Sequence, residues 1–346
     1  MKIKKKHLIG AVFYYVGFLS LINYFRKKVL KKGSFTILTY HRISHSDYGD
    51  PFLSVTPYGF EIQIQYLTNK YRVVSLEELI QRIHSPNTAV DDYVAITFDD
   101  GYRDNYTNAY PILNKYNVPV TIFLTTGFIG TDKLFWWDRV TRIVKSIIRK
   151  NQHIDFSRDF YPEKIKDAIA GISSRDVSSS SKVISALLKE ISEEKKNLIL
   201  DDLEKQIPSL ASDDQGRPYP LTWDEVRQMS EKGTEFGSHT VTHPILTRIE
   251  SSQASNEILH SKVVLEGKIG KKVLHFAYPN GEKSDFDERI KQFVKDNNYI
   301  SACTTINGAN TMKDDVFSLK RRAIGNSPIC VFASKIAGIF DLLNIT

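Results

Sequence analysis

The sequence predicts an α/β fold, a largely parallel sheet covered by helices, either open or closed into a barrel. Three observations predict it. Stretches rich in β-branched and aromatic residues alternate with stretches of helical periodicity along most of the 346 residues. The composition, 41% hydrophobic and 25% charged, is that of a folded chain with material for a large core. Polar residues with chemical potential also gather where predicted strands end, the place where α/β sheets assemble their sites.

The elements follow in order. "SFTILTYHRI" (34–43) is a strand ending at a polar turn. "TPYGFEIQIQYLTNKY" has helical spacing, with Phe60, Ile64 and Leu67 on one face. "YRVVSLEELIQRI" predicts a short strand and then a helix, with Ser75 and Glu78 forming a capping box. "YVAITF" is a strand, "NAYPILNKYN" a helix and "VPVTIFLTT" a strand. After an interruption, "LTWDEVRQMSEKG" is a helix and "TEFGSH" a strand. "EILHSKVVLEGKIG" is a helix, "KVLHFAYP" a strand, "DERIKQFVKDNN" a helix and "YISACTTI" a strand. The interruption, 131–220, opens with the amphipathic "KLFWWDRVTRIVKSIIRK". Its serine-rich "ISSRDVSSSSKV" is expected as a loop or cap, within a helical insertion over the barrel mouth.

The net charge is +7, but residues 1–32 contain nine Lys/Arg and no acid, so the remaining 314 residues carry −2. A nucleic-acid-binding body is therefore disfavoured. Within that tail, Leu8 to Phe25 is an 18-residue charge-free run, at the lower limit for crossing a bilayer. Basic residues flank it on both sides and leave its orientation open. The expectation is a membrane-associated segment over 1–32, spanning or interfacial, and hence a cell-envelope location. A helix packed on the body is the alternative. Cys303 and Cys330 lack CxxC spacing, which excludes a thiolate zinc site and a disulfide framework.

Four strand ends carry the chemistry: His41 in "ILTYHRI", Asp99 and Asp100 in "ITFDDGY", His239 and His243 in "FGSHTVTHP", and the turn "FAYPNG". A helix starting at Ser238 or Thr240 would put both imidazoles of the histidine pair on one face, able to share an ion. Two imidazoles and one carboxylate form a donor set for a catalytic divalent metal, with Asp100 as the acid. Asp99 would then stand free as general base.

"TFDDGY" together with "HTVTHP" resembles the first two motifs of the polysaccharide deacetylases, carbohydrate esterase family 4. The resemblance covers most of 35–333 apart from the insertion. It implies a distorted (β/α) barrel of about seven strands over 33–346 and hydrolysis of acetyl groups, N-acetyl first, on an amino-sugar polysaccharide. It also implies a divalent metal on Asp100, His239 and His243: zinc first, with cobalt, nickel or manganese as alternatives. Asp99 would be the base, and the backbone N–H of Asn280 the oxyanion donor. The chain departs from the family twice. Ala277 stands where an arginine commonly orients the catalytic Asp, and no histidine follows His275. If 319–323 is the last strand, Arg321 shares a face with Leu319 and is expected to replace that arginine, with Arg322 the alternative. His41 on the first strand would supply the general acid, as in a permuted subgroup acting on exopolysaccharides. An O-acetyl esterase and a catalytically silent carbohydrate-binding protein are the rival functions.

Overall fold

The computed structural model describes residues 2–19, 21, 24, 33–45, 53–83, 85, 91–150, 152–172, 176–207 and 217–345. The basic run from Arg26 to Lys32 lies outside them, as do Ser173, Ser174 and Arg175 of the serine-rich stretch.

The N-terminal helix α1 (Lys2–Tyr15) precedes strand β1 (Ser34–Tyr40), helix α2 (Pro57–Lys70) and helix α3 (Leu76–Ile83). Then come β2 (Asp92–Phe98), α4 (Tyr110–Lys115) and β3 (Thr121–Leu124). Four helices follow: α5 (Trp136–Lys150), α6 (Glu163–Ala170), α7 (Val177–Leu188) and α8 (Glu193–Gln206). The chain continues through α9 (Trp223–Glu231), β4 (Glu235–Ser238), α10 (Ser251–Ile269), β5 (His275–Ala277) and α11 (Glu288–Asp296). It ends with β6 (Ser301–Asn307), β7 (Leu319–Ala323), α12 (Ile329–Ile336) and α13 (Ile339–Leu342).

Every neighbouring pair in the main sheet is parallel. β1 pairs with β2 on one side (Leu38 opposite Ile96) and with β7 on the other (Leu38 opposite Arg322). These pairings close the sheet into a parallel seven-strand barrel. Strand periodicity sorts the side chains. Phe35, Ile37, Tyr93, Ala95, Phe123, Ala277, Cys303 and Leu319 form one cluster, joined by the apolar face of α3. Leu38, Tyr40, Val94, Ile96, Phe98, Ile122 and Phe276 alternate with them along the strands and pack with the surrounding helices. Both cysteines are buried and unpaired.

Helices α5 to α8 have a core of their own, built from Val140, Ile143, Val144, Ile147, Ile165, Ile184, Leu188, Ile199 and Leu203 among others. Three local expectations are corrected here. Of the loop or cap expected at the serine-rich stretch, the cap forms: Asp176 accepts from Ser178 N and Ser179 N, but the serines after it are helical and make the first half of α7. Burial of Ile184 and Leu188 one turn apart outweighs the indifferent helix propensity of serine. Only half of the predicted capping box forms at α3, because Glu78 turns to Arg82 (3.0 Å) while Ser75 accepts from Glu78 N. The helix expected from Asn108 begins as a π-turn over Asn105–Ala109.

No helix among the described residues is long and apolar enough to cross a membrane. Ile9, Phe13, Tyr14 and Leu19 pack instead against Ala333 and Ile339. Gly10 permits this approach: a Cβ there would meet the Cys330 carbonyl oxygen at 3.1 Å. The opposite face, Leu8, Val12, Tyr15 and Val16, is exposed.

Candidate active site

A cavity of about 460 Å³ opens among the β1, β2, β4 and β5 strand ends. His41, Asp99, Asp100, His239, His243 and Asn280 all line it. The closed ring therefore brings together six polar residues spread over 240 positions of sequence.

β2 runs directly into Asp99, whose N–H bonds the Tyr40 carbonyl (3.0 Å) and stays in register with β1. Asp100 then takes φ 73° and Gly101 φ 82°, so the chain turns left-handed and the two carboxylates diverge. A Cβ on Gly101 would meet Leu124 Cδ2 at 2.6 Å, which accounts for the glycine. Arg321 lies inside the barrel and grips Asp99 with both nitrogens, Nη1 to Oδ1 and Nη2 to Oδ2, each at 2.7 Å. The guanidinium is itself fixed by donating to the Thr304 carbonyl (2.8 Å) and Thr97 Oγ1 (3.2 Å). Burial would raise the Asp99 pKa, but Arg321 and His239 draw it down to about 2, so the carboxylate stays ionised. Arg322 faces the other way and pairs with Asp341, which removes it as the partner of Asp99.

The histidine pair is not on a helix. β4 ends at Ser238, and Thr240 (φ 66°) and His243 (φ 63°) are both left-handed, which a helix would forbid. Such a φ is costly for a β-branched residue, and the turn is held by several bonds. Thr240 Oγ1 accepts from His243 N, and Glu257 of α10 accepts from Val241 N (2.7 Å), Thr242 N (2.9 Å) and Thr242 Oγ1 (2.6 Å). The result still points both imidazoles at one spot: each Nε2 lies 3.6 Å from Asp100 Oδ1. His239 Nδ1 contacts the Ala277 carbonyl at 2.7 Å. A carbonyl can only accept, so Nδ1 carries the proton and Nε2 offers its lone pair inward.

These donors fit a divalent cation. One atom each from Asp100, His239 and His243 lies within 4.8 Å of the others, all buried, and neither Asp100 oxygen has a hydrogen-bond partner among the described residues. Burial and the neighbouring Asp99 push the Asp100 pKa well above its ordinary value, and burial lowers those of His239 and His243. A cation would relieve these costs together.

His41 sits where β1 ends, its carbonyl held by Asn105 Nδ2 (2.8 Å) from the π-turn. Loss of hydration lowers its pKa to about 4, against the raising effect of Asp99. In the turn after β5, Asn280 (φ 59°) and Gly281 (φ 67°) bend the chain, and a Gly281 Cβ would meet Thr305 N at 2.8 Å.

Several contributors carry no motif. Trp136 and Trp137 line the cavity, and Trp136 also packs against the helical core. Trp137 meets the His243 ring edge-on at 4.8 Å, and its Nε1 donates to Tyr102 Oη (2.8 Å). Tyr102 in turn donates to the buried Asp138 (2.7 Å), whose pKa burial raises to about 7. The only sequence signal was the aromatic cluster "LFWWD". Glu257 had none, being one acid within the helix Ser251–Ile269.

The sequence profile of the polysaccharide deacetylases matches residues 87–153 and 193–301, just over half of the chain. YxkH of Bacillus subtilis (strain 168) is 22% identical over 295 residues, 85% of this chain and 72% of that one. Poly-beta-1,6-N-acetyl-D-glucosamine N-deacetylase of Staphylococcus aureus is 29% identical over 133 residues, 34% of this chain and 44% of that one. The chain thus spans less than half the length of the staphylococcal relatives. In fold it is similar to the Streptococcus pyogenes deacetylase PplD, with TM-score 0.53, 21% identity, and 84% of this chain and 92% of that one covered. It is also similar to IcaB from Ammonifex degensii, with TM-score 0.57, 15% identity and coverage of 88% and 98%. With the Asp-Asp turn, the histidine pair and the closed barrel in place, the chain belongs to the polysaccharide deacetylase family.

Proposed function

We propose that the chain removes N-acetyl groups from an amino-sugar polysaccharide at the cavity formed by His41, Asp99, Asp100, His239, His243 and Asn280. The observation that carries the reading is an ionised Asp99, clamped by Arg321, beside three buried side chains whose ligand atoms converge as a metal ion would need. The N-deacetylase name of the staphylococcal relatives supports an amino-sugar substrate. Asp100, His239 and His243 would hold the cation, zinc being our choice; when bound, it polarises the acetyl carbonyl and acidifies a water.

The remaining steps belong to the side chains. Asp99 accepts the proton of the attacking water, and Arg321 keeps both its oxygens in position. The Asn280 backbone N–H, which has no hydrogen-bond partner among the described residues, donates to the oxyanion. His41 is neutral at pH 7 in the free protein. Negative charge arriving on the oxyanion raises the proton affinity of His41, so it takes up the proton that Asp99 removed from the water and passes it to the departing sugar nitrogen.

We place the protein at a membrane surface of the cell envelope through residues 1–32. The exposed stripe of Leu8, Val12, Tyr15 and Val16 and the basic residues of that segment support an interfacial helix.

The test is acetate release from N-acetylglucosamine oligomers and from O-acetylated xylan, with and without chelator. Chelator-sensitive release from the amino sugar is expected, reduced about 10²–10⁴-fold in Asp99→Asn. Release from xylan alone would convert the reading to an ester hydrolase. Absence of bound metal would overturn the mechanism.

A further inference from the structure

The two imidazoles that face Asp100 are held in different ways. The His239 ring is locked by its own hydrogen bond, Nδ1 to the Ala277 carbonyl at 2.7 Å. His243 Nδ1 is buried with no hydrogen-bond partner in any other described residue. A ligating histidine ordinarily donates its second ring nitrogen to a group that fixes the ring. The His243 backbone is fixed, its N–H donating to Thr240 Oγ1 at 3.0 Å, but that bond leaves the ring free to turn. Another contact must keep His243 Nε2 at 3.6 Å from Asp100 Oδ1.

Aromatic rings supply that contact. Trp137 meets the His243 ring at 4.8 Å and 66°, and Phe135 meets it at 6.0 Å and 75°. Phe128, Phe135 and Trp137 form a continuous stack, with successive centroids 4.2 and 4.7 Å apart and rings tilted by only 6° and 9°. Edge-to-face pairs favour one mutual orientation of the two rings, so a fixed stack can orient a neighbouring imidazole.

The stack is itself tied down at Trp137. The indole Nε1 donates to Tyr102 Oη (2.8 Å), and that hydroxyl donates to Asp138 Oδ2 (2.7 Å). Tyr102 and Asp138 are both fully buried. On the other side, the Arg42 guanidinium lies 5.3 Å over the Tyr102 ring and pairs with Asp104 at 2.9 Å. The tyrosine hydroxyl therefore has one donor and one acceptor in fixed places, which holds the indole at one position against His243.

We propose that Trp137 is a positioning residue of the metal site: its indole, pinned through Tyr102 to Asp138, aims the His243 imidazole in place of a hydrogen bond from Nδ1. The first turn of α5 is then part of the metal centre although it supplies no ligand. The inference rests on the metal-site half of the deacetylase reading and deepens it.

The test uses the full chain, stripped of metal and reloaded with zinc or cobalt(II). Competition with a chromophoric chelator gives the zinc affinity, and the visible cobalt spectrum at saturation reports the arrangement of the ligands. Trp137→Ala should lower the affinity about 10–100-fold and shift the cobalt bands. Tyr102→Phe removes a single oxygen and should do both in the same direction, to a smaller extent. Asp138→Asn keeps an acceptor for the tyrosine hydroxyl and should leave both readouts near those of the unaltered chain. Leu188→Ala weakens the helical core without touching these contacts, and should lower stability while changing neither readout. Unchanged affinity and spectrum in Trp137→Ala and Tyr102→Phe would overturn the inference. An equal loss in Leu188→Ala would also overturn it, by marking the effect as one of stability alone. If Trp137→Ala does not fold, Tyr102→Phe decides. No metal bound by the unaltered chain would refute the metal site and the inference together. Metal that responds to these variants, with no acetate released from any substrate, would uphold the inference and refute the deacetylase reading.

Discussion

The barrel and the helices α5 to α8 use buried space in opposite ways. The helical segment fills its core with Ile, Leu and Val, and keeps ion pairs such as Arg139 with Asp201 and Glu204 toward its surface. The barrel buries a complete ion pair, Asp99 with Arg321, and tolerates left-handed Asp100, Thr240 and His243 at its mouth. Such strain and desolvation persist only where the surroundings over-determine the geometry. A closed ring of seven parallel strands supplies that constraint, and a helical layer does not. The candidate site therefore sits at the barrel mouth, where that constraint acts.

The comparison can be broken first at its strongest point. Arg321→Leu leaves Asp99 buried without its counter-charge and should cost about 3–5 kcal/mol of stability, with acetate release lost. Denaturant unfolding at pH 7 measures it, and a loss under 1 kcal/mol would mean that water reaches Asp99 and the pair is dispensable. Leu188→Ala, in the other core, should cost about 2–5 kcal/mol yet spare the barrel. Hydrogen exchange should then show α5 to α8 opening first, with stoichiometric metal binding retained. Exchange rising equally in the barrel strands would show one cooperative unit instead of two.

Glu257→Gln sharpens the comparison from the barrel side. It weakens the clamp on the strained histidine turn, and a metal affinity about 10–100-fold lower is expected, as for other groups that orient ligands. Unchanged affinity by competition with a chromophoric chelator would assign the turn's shape to its backbone bonds alone. The smallest effect is a pH slope. In the folded chain the Asp138 pKa is raised to about 7 by burial, from an ordinary 3.8. Between these values the folded state binds the extra proton, so stability falls as pH rises through that window and levels off above it. The slope is at most about 1.4 kcal/mol per pH unit. Thermal melts of chelated protein from pH 4 to 8 should show it, and Asp138→Asn should flatten it. A slope unchanged in the variant would assign it to another group.

Much of the site was legible because its residues lie where strands stop. Asp99, Asp100, His239, His243 and His41 each follow a run of strand-forming residues, and period two puts Arg321 on the inner face with Leu319. The geometry between them was less accessible. The histidines four apart suggested a helix, but the turn depends on Glu257, a residue with no local signal. Trp137, Tyr102 and Asp138 form a chain only because α5 docks beside β2. The serine run suggested a loop or cap, and its continuation as a helix was hidden because that helix is stabilised by distant apolar partners.

The sequence by itself determined which residues form strands, which face each side chain takes and which strand ends bear donors, since these depend on the chain's own periodicity. Only the tertiary structure decided which donors meet. Arg321 and Asp99 are 222 residues apart, and closure of β7 against β1, not any local preference, carries the guanidinium to the carboxylate. The same closure turned the Asp-Asp repulsion of β2 into a division of labour, with one acid paired to arginine and the other left facing two imidazoles.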